Sequence, residues 1–241
     1  EILRCLVGSE MCIRDRRSIR NQPTLLVKSD IEELHGKVVV VFGGTYGIGQ
    51  EICEICREYK TTLYVYSRST GVDVSNSQSV RRVLSEIYEK EGRIDWIVNT
   101  AGILDKQPLA NMSYEVVHRS IDINYLGNII VAKESFSYLK ESKGSLLFFT
   151  SSSYTRGRAL YSLYSSSKAA IVNFVQALSE EWFEYDIRVN CINPERTKTP
   201  MRIQNFGNEP EDTLLEPKVV AIVSVNTLLS EMTGEVVDVK R

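Results

Sequence analysis

The run Lys37-Val38-Val39-Val40-Val41-Phe42 passes directly into Gly43-Gly44-Thr45-Tyr46-Gly47-Ile48-Gly49, and then into a helical pattern carrying Ile52, Ile55, Cys56 and Tyr59. An unbroken β-branched run without alternation is the signature of a strand buried on both faces, and such strands belong to parallel sheets. A strand, a glycine turn and a helix in that order commit the chain to an α/β architecture. They also give the turn a chemical use. Glycines let the backbone approach a pyrophosphate closely, and the helix start offers unpaired N–H groups to the anion. The spacing is G-x-x-x-G-x-G rather than the commoner G-x-G-x-x-G. Gly43, Tyr46, Gly47, Ile48 and Gly49 are the expected cofactor turn, and a merely tight β–α turn is the bland alternative.

The chain downstream repeats the alternation. Thr62–Tyr66 reads as a second strand ending at Ser67-Arg68-Ser69. An acidic residue at this place would read a ribose 2′-hydroxyl, whereas the planar fork of Arg68 suits a 2′-phosphate. The spacing therefore favours NADP over NAD. Only three residues separate Arg68 from Val72-Asp73-Val74, too few for a crossover helix, so an edge helix is expected to be trimmed. A helix over Ser75–Glu91 and a strand Asp95–Val98 follow, the strand delivering Asn99-Thr100-Ala101-Gly102 at the sheet edge where ligands bind. A long helix from about Ser113 to Leu139 carries Asn124. The strand Ser145–Phe149 ends in Thr150-Ser151-Ser152-Ser153, and the next helix runs to about Tyr185. Ile187–Ile192 is a strand leading to Asn193-Pro194; after a polar loop come a helix over Pro217–Ser230 and a strand over Glu235–Val239. The pattern predicts one doubly wound parallel sheet with helices on both faces.

Composition removes other classes. The 241 residues carry a net charge of −2, which leaves no electrostatic footprint for nucleic acid, and no apolar run is long enough to cross a bilayer. Five cysteines and two histidines argue against a disulfide framework and a His-rich metal site. Cys53 and Cys56 form a C-x-x-C inside the first helix, without a second Cys/His pair to complete a zinc site, and read as buried helix-face thiols. No metal is expected, and the reducing cytoplasm is the natural compartment. Residues 1–16 resemble translated sequencing-adapter read-through and are expected to be non-native. Residues 17–33 read as a polar linker and 34–241 as one domain.

One further pair carries chemistry. In Tyr164-Ser165-Ser166-Ser167-Lys168 a phenol and an ammonium sit four apart on one helix face. A nearby fixed positive charge favours the phenolate and makes the tyrosine a usable general acid/base.

With these motifs in this order, the chain resembles the short-chain dehydrogenase/reductase family over roughly Leu34 to Val239. The resemblance implies that Asn124, Ser151, Tyr164 and Lys168 form the catalytic tetrad. It implies cofactor contacts from the glycine turn, Asp73, Val74, Asn99, Ala101, Gly102, Tyr164, Lys168, Pro194, Thr197 and Thr199. Ser151 would polarise the substrate carbonyl, Tyr164 would give up its proton, Lys168 would lower the tyrosine pKa and hold the ribose, and Asn124 would anchor a water. Family members usually pair through two long helices, so a homodimer or homotetramer is implied.

The departures also inform. Phe42 stands where threonine is usual and Glu195 where glycine is usual. Together with the trimmed edge helix and the stretch Asn193–Arg202, they resemble the reductase half of bifunctional proteins that join a cytidylyltransferase to a short-chain reductase. Those reduce ribulose 5-phosphate to ribitol 5-phosphate. The 17–33 segment would then be a leftover interdomain linker. Arg156 and Arg158 precede Tyr164, and Arg196, Lys198 and Arg202 follow the Pro194 region. Their guanidinium forks suit a phosphate, so Arg156, Arg158, Arg196 and Arg202 join Ser151, which the resemblance sets at the carbonyl, as the expected substrate residues. Solvation, or pairing with Glu195 and Glu209, is the alternative for these cations. A neutral or 3-oxoacyl thioester carbonyl is the rival substrate, and a non-catalytic NADP-binding sensor the rival class.

Overall fold

The computed structural model describes residues 34–241 and, for the backbone alone, the two-residue strand Ser18–Ile19. That strand, β1, is followed by β2 (Val38–Phe42), α1 (Gly47–Glu58), β3 (Thr62–Tyr66), α2 (Ser77–Glu91) and β4 (Trp96–Asn99). Next come α3 (Tyr114–Ile121), a π-helical turn (Asp122–Leu126), α4 (Gly127–Ser142), β5 (Ser145–Phe149) and α5 (Ser162–Trp182). The chain closes with β6 (Arg188–Pro194), α6 (Pro200–Phe206), α7 (Pro217–Leu229) and β7 (Val236–Val239).

The strands form one parallel sheet in the order β1-β7-β6-β5-β4-β2-β3. β2 lies between β3 and β4, so the winding reverses direction at its C-terminal end. Crossover connections leave from opposite faces there, which opens a crevice for a ligand.

The five residues of β2 are all buried, as the β-branched run predicts. Their side chains alternate between two cores. Val38, Val40 and Phe42 pack with α2, α4 and α5, whereas Val39 and Val41 pack with α1 and α7. Cys53 and Cys56 belong to the second core, as buried helix-face thiols, and burial pushes them up to about 11 and about 12.

At the β3 edge, Arg68–Thr70 is a single 3-10 turn closed by Gly71, and the chain then drops directly to Val72 and Val74, both buried. No strand lies outside β3 among the described residues, and the expected trimming is borne out. At the other edge, Ser18 and Ile19 pair with Asp238 and Val239. Two residues of the expected linker thus run alongside the sheet, while the expectations for residues 1–16 lie outside the described residues.

Two expectations change. The long helix from Ser113 contains a π-turn at Asp122–Leu126, the kind of single-turn insertion that clusters at functional sites. The polar loop after Pro194 contains α6, capped by Thr199, whose hydroxyl accepts from Arg202 N, and started by Pro200. Thr followed by Pro is a helix-start signal, and the many charges around it hid the helix.

Candidate active site

The C-terminal ends of β2, β4, β5 and β6 converge on one cleft, lined by the glycine turn, Thr100–Gly102, Ser151–Ser153, Tyr164, Lys168 and residues 194–206 in part. Thr100 locks the floor by donating to the Phe42 carbonyl from both N (2.9 Å) and Oγ1 (3.0 Å). Gly49 has no room for a side chain, since a Cβ there would lie 2.5 Å from Gly43 O and Thr100 Oγ1. Gly47 takes φ +61°, a conformation that glycine adopts at little cost.

The turn fits a pyrophosphate. Tyr46, at the N-cap of α1, makes no side-chain cap bond, and the first turn of α1 carries no acidic residue. Its leading N–H groups are therefore left to a ligand. The Thr45 hydroxyl is buried without a hydrogen-bond partner among the described residues. A buried hydroxyl left unpaired inside a glycine cradle is what a polar ligand would satisfy.

Ser151 lies two residues past β5, at the N-cap of the 3-10 turn Ser152–Tyr154, and Tyr164 sits in the first turn of α5. Ser151 hydrogen-bonds the Tyr164 phenol, and Ser153 donates to Ser151 Oγ from both N (3.3 Å) and Oγ (3.2 Å). Burial pushes the phenol up to about 12, opposed by the Ser151 hydrogen bond and by the charge of Arg202. Lys168 Nζ donates to Phe149 O at 2.8 Å and lies 5.5 Å from the Tyr164 ring centroid. Burial lowers its ammonium from 10.5 to about 8. The Lys168 ammonium thus lies over the Tyr164 ring while its hydrogen bond goes to the Phe149 carbonyl, and the charge of Arg202 also favours the phenolate.

Asn124 sits in the π-turn behind the cleft wall, fully buried. Its Oδ1 accepts from Ile103 N and its Nδ2 donates to Ile103 O, both at 2.9 Å. The side chain clamps the backbone beyond Gly102. Asn128, four residues on and unforeseen, completes the clamp. It accepts from Asn99 Nδ2 at 2.9 Å and donates to the Asn124 carbonyl at 2.8 Å. Its position one turn after Asn124 was the available signal.

Pro194, Thr197 and Thr199 line the cleft, while Arg68, Asp73 and Val74 lie outside it, near the end of β3. Arg68 is exposed; Asp73 accepts from Ser75 N and Oγ. The cationic residues divide. Arg156 and Arg158 are exposed and outside the cleft, whereas Arg196 and Arg202 line it. Both of the latter face Glu209: Arg202 through two hydrogen bonds (2.6 and 2.8 Å) and Arg196 at 3.7 Å. Pairing with Glu209, the alternative weighed for these cations, is therefore present. Among the described residues, no three His, Cys, Asp or Glu side chains could hold a metal, and no helix is long and apolar enough to cross a membrane.

A glycine-turn cleft at the switch point of a parallel sheet, with a Ser–Tyr–Lys set on its rim, defines a nicotinamide-dinucleotide oxidoreductase, and the chain belongs to the short-chain dehydrogenase family. The family match covers residues 69–210. The chain is 49% identical over 226 residues, 94% of its length, to the bifunctional ribulose 5-phosphate reductase/CDP-ribitol pyrophosphorylase Bcs1 of Haemophilus influenzae, and spans 47% of that protein. It is 32% identical to an acetoacetyl-CoA reductase of an Acinetobacter strain, covering 68% of this chain and 76% of that one. A small-chain dehydrogenase solved with NADPH superimposes with a TM-score of 0.74 at 27% identity, over 85% of this chain and 97% of that one.

Proposed function

We infer that this domain is an NADPH-dependent reductase of a phosphorylated ketose, with ribulose 5-phosphate going to ribitol 5-phosphate. The observation that carries the phosphate reading is Arg202, with Arg196 beside it, on the wall of the same cleft as Tyr164. The identity with the bifunctional relative supports the substrate. The preference for NADPH rests on Arg68, exposed at the end of β3, where no carboxylate takes the 2′-hydroxyl role.

The glycine turn, Thr45 and the start of α1 would hold the dinucleotide, with Lys168, Pro194, Thr197 and Thr199 around its reactive end. The bound cofactor supplies the hydride. Ser151 donates to the substrate carbonyl oxygen and orients it beside Tyr164. Tyr164, protonated at neutral pH, transfers its phenolic proton to that oxygen as negative charge develops there. Asn124 and Asn128 hold the 99–103 wall rigid, so the reactants meet in a fixed geometry. We also read the chain upstream of the domain as a linker to a cytidylyltransferase half, and α4 and α5 as the surface for self-association.

The test is a substrate panel of ribulose 5-phosphate, ribulose and acetoacetyl-CoA, each with NADPH and with NADH. Preferential oxidation of NADPH by ribulose 5-phosphate is expected. Equal turnover of ribulose, or a preference for the thioester, would overturn the substrate; a preference for NADH would overturn the cofactor.

A further inference from the structure

We propose that Glu209 is a positioning residue that sets Arg202 in advance as the receptor for the substrate's anionic group; this rests on the phosphate reading above. Arg202 lies in the first turn of α6, and its side chain is only 21% exposed. Its Nε donates to Glu209 Oε2 at 2.6 Å and its Nη2 to Oε1 at 2.8 Å. Its Cζ lies 3.9 Å from the centroid of Phe206, one turn further along the same helix. One edge and one face of the guanidinium are therefore occupied.

A guanidinium carries five N–H groups in one plane. The two bonds to Glu209 use one hydrogen of Nε and one of Nη2, which leaves both Nη1 hydrogens and the second Nη2 hydrogen. Those belong to the outer edge of the fork, the edge that takes an oxyanion through two parallel bonds. Arg202 lines the cleft and Glu209 does not, so the carboxylate grips the arginine from behind. The Arg202 hydrogen bond holds the Glu209 carboxyl below its usual range, so it stays ionised at working pH. Arg196 is different, with 58% of its side chain exposed and a looser 3.7 Å approach to Glu209. It adds charge without a fixed orientation.

A long side chain ordered before the ligand arrives does not lose its freedom on binding, which is worth about twofold to tenfold in affinity. Glu209 also places a negative charge near an incoming anion, an opposite effect. It acts from the far side of the cation, farther from the anion than the guanidinium it orders. Orientation is therefore expected to win.

The experiment compares the wild type with Glu209→Gln, Phe206→Leu and Arg202→Gln on NADPH-saturated protein. It measures kcat/KM for ribulose 5-phosphate over that for ribulose, and the binding of inorganic phosphate by thermal shift. In Glu209→Gln and Phe206→Leu the ratio should fall about threefold to tenfold, in Arg202→Gln further, and phosphate binding should weaken in parallel. A general packing defect would lower both substrates together and leave the ratio intact, which overturns the proposal. A rise of the ratio in Glu209→Gln overturns it too, because the carboxylate then competes with the phosphate. If the wild type does not reduce ribulose 5-phosphate, the substrate reading falls and the phosphate arm decides alone. There, unchanged binding in Glu209→Gln sinks the positioning role.

Discussion

Lys168 is a buried ammonium that donates to the Phe149 carbonyl. In the folded, cofactor-free protein its pKa falls from 10.5 to about 8, mainly through burial. The folded state thus binds a proton less readily than the unfolded chain, so stability must rise with pH between those two values. Each tenfold loss of proton affinity is about 1.4 kcal/mol, so the charged lysine costs roughly 3 kcal/mol at about pH 7. On raising the pH to about 9.5, roughly 2 kcal/mol of that returns as the folded lysine sheds its proton while the unfolded one keeps it. Replacing Lys168 by Met removes this dependence and leaves the Phe149 carbonyl short of one donor, a loss that does not vary with pH. The assay is urea unfolding of wild type and Lys168→Met at about pH 7 and about pH 9.5. Surface groups titrate alike in both proteins, so the change in their stability difference isolates Lys168. The wild type should gain about 2 kcal/mol on the variant over this range. A constant difference, or a drift in favour of the variant, would show that the ammonium is solvated in the folded protein and that the burial argument fails.

Other consequences are as direct. Asn128→Leu strands Asn99 Nδ2 in the interior and removes the side-chain bond to the Asn124 carbonyl. An unpaired buried group costs about 1–3 kcal/mol, so a loss of that size is expected by urea unfolding, and a change below about 0.5 would refute the clamp. Gly49→Ala pushes a methyl to 2.5 Å from Gly43 O and should weaken NADPH binding at least about tenfold in a fluorescence titration. An unchanged Kd would mean that the turn is looser than it looks. Arg68→Ala should raise KM for NADPH about tenfold or more and leave NADH little affected; equal effects on both cofactors would remove Arg68 from 2′-phosphate recognition.

How much was legible beforehand follows from where the constraint sits. The β2 run, the glycine spacing and the short Arg68–Val72 gap each announce themselves within about a dozen residues. Each is a local requirement: burial on both faces, close backbone approach, and too little chain for a helix. The sequence by itself therefore determined the sheet, its trimmed edge, the glycine turn and the Tyr164–Lys168 helix. What Lys168 touches was decided in three dimensions, because the end of β5 brings the Phe149 carbonyl 2.8 Å from its amine while the amine stays over the Tyr164 ring. The arginines divide for the same reason. Arg156 and Arg158 sit nearer Tyr164 in sequence yet outside the cleft, while the α6 helix carries Arg202 into it and the following loop returns Glu209 to its edge. Charge spacing offered Glu209 as a partner for these cations, but which arginine it takes, and which of them reaches the cleft, is set by how the rigid elements pack.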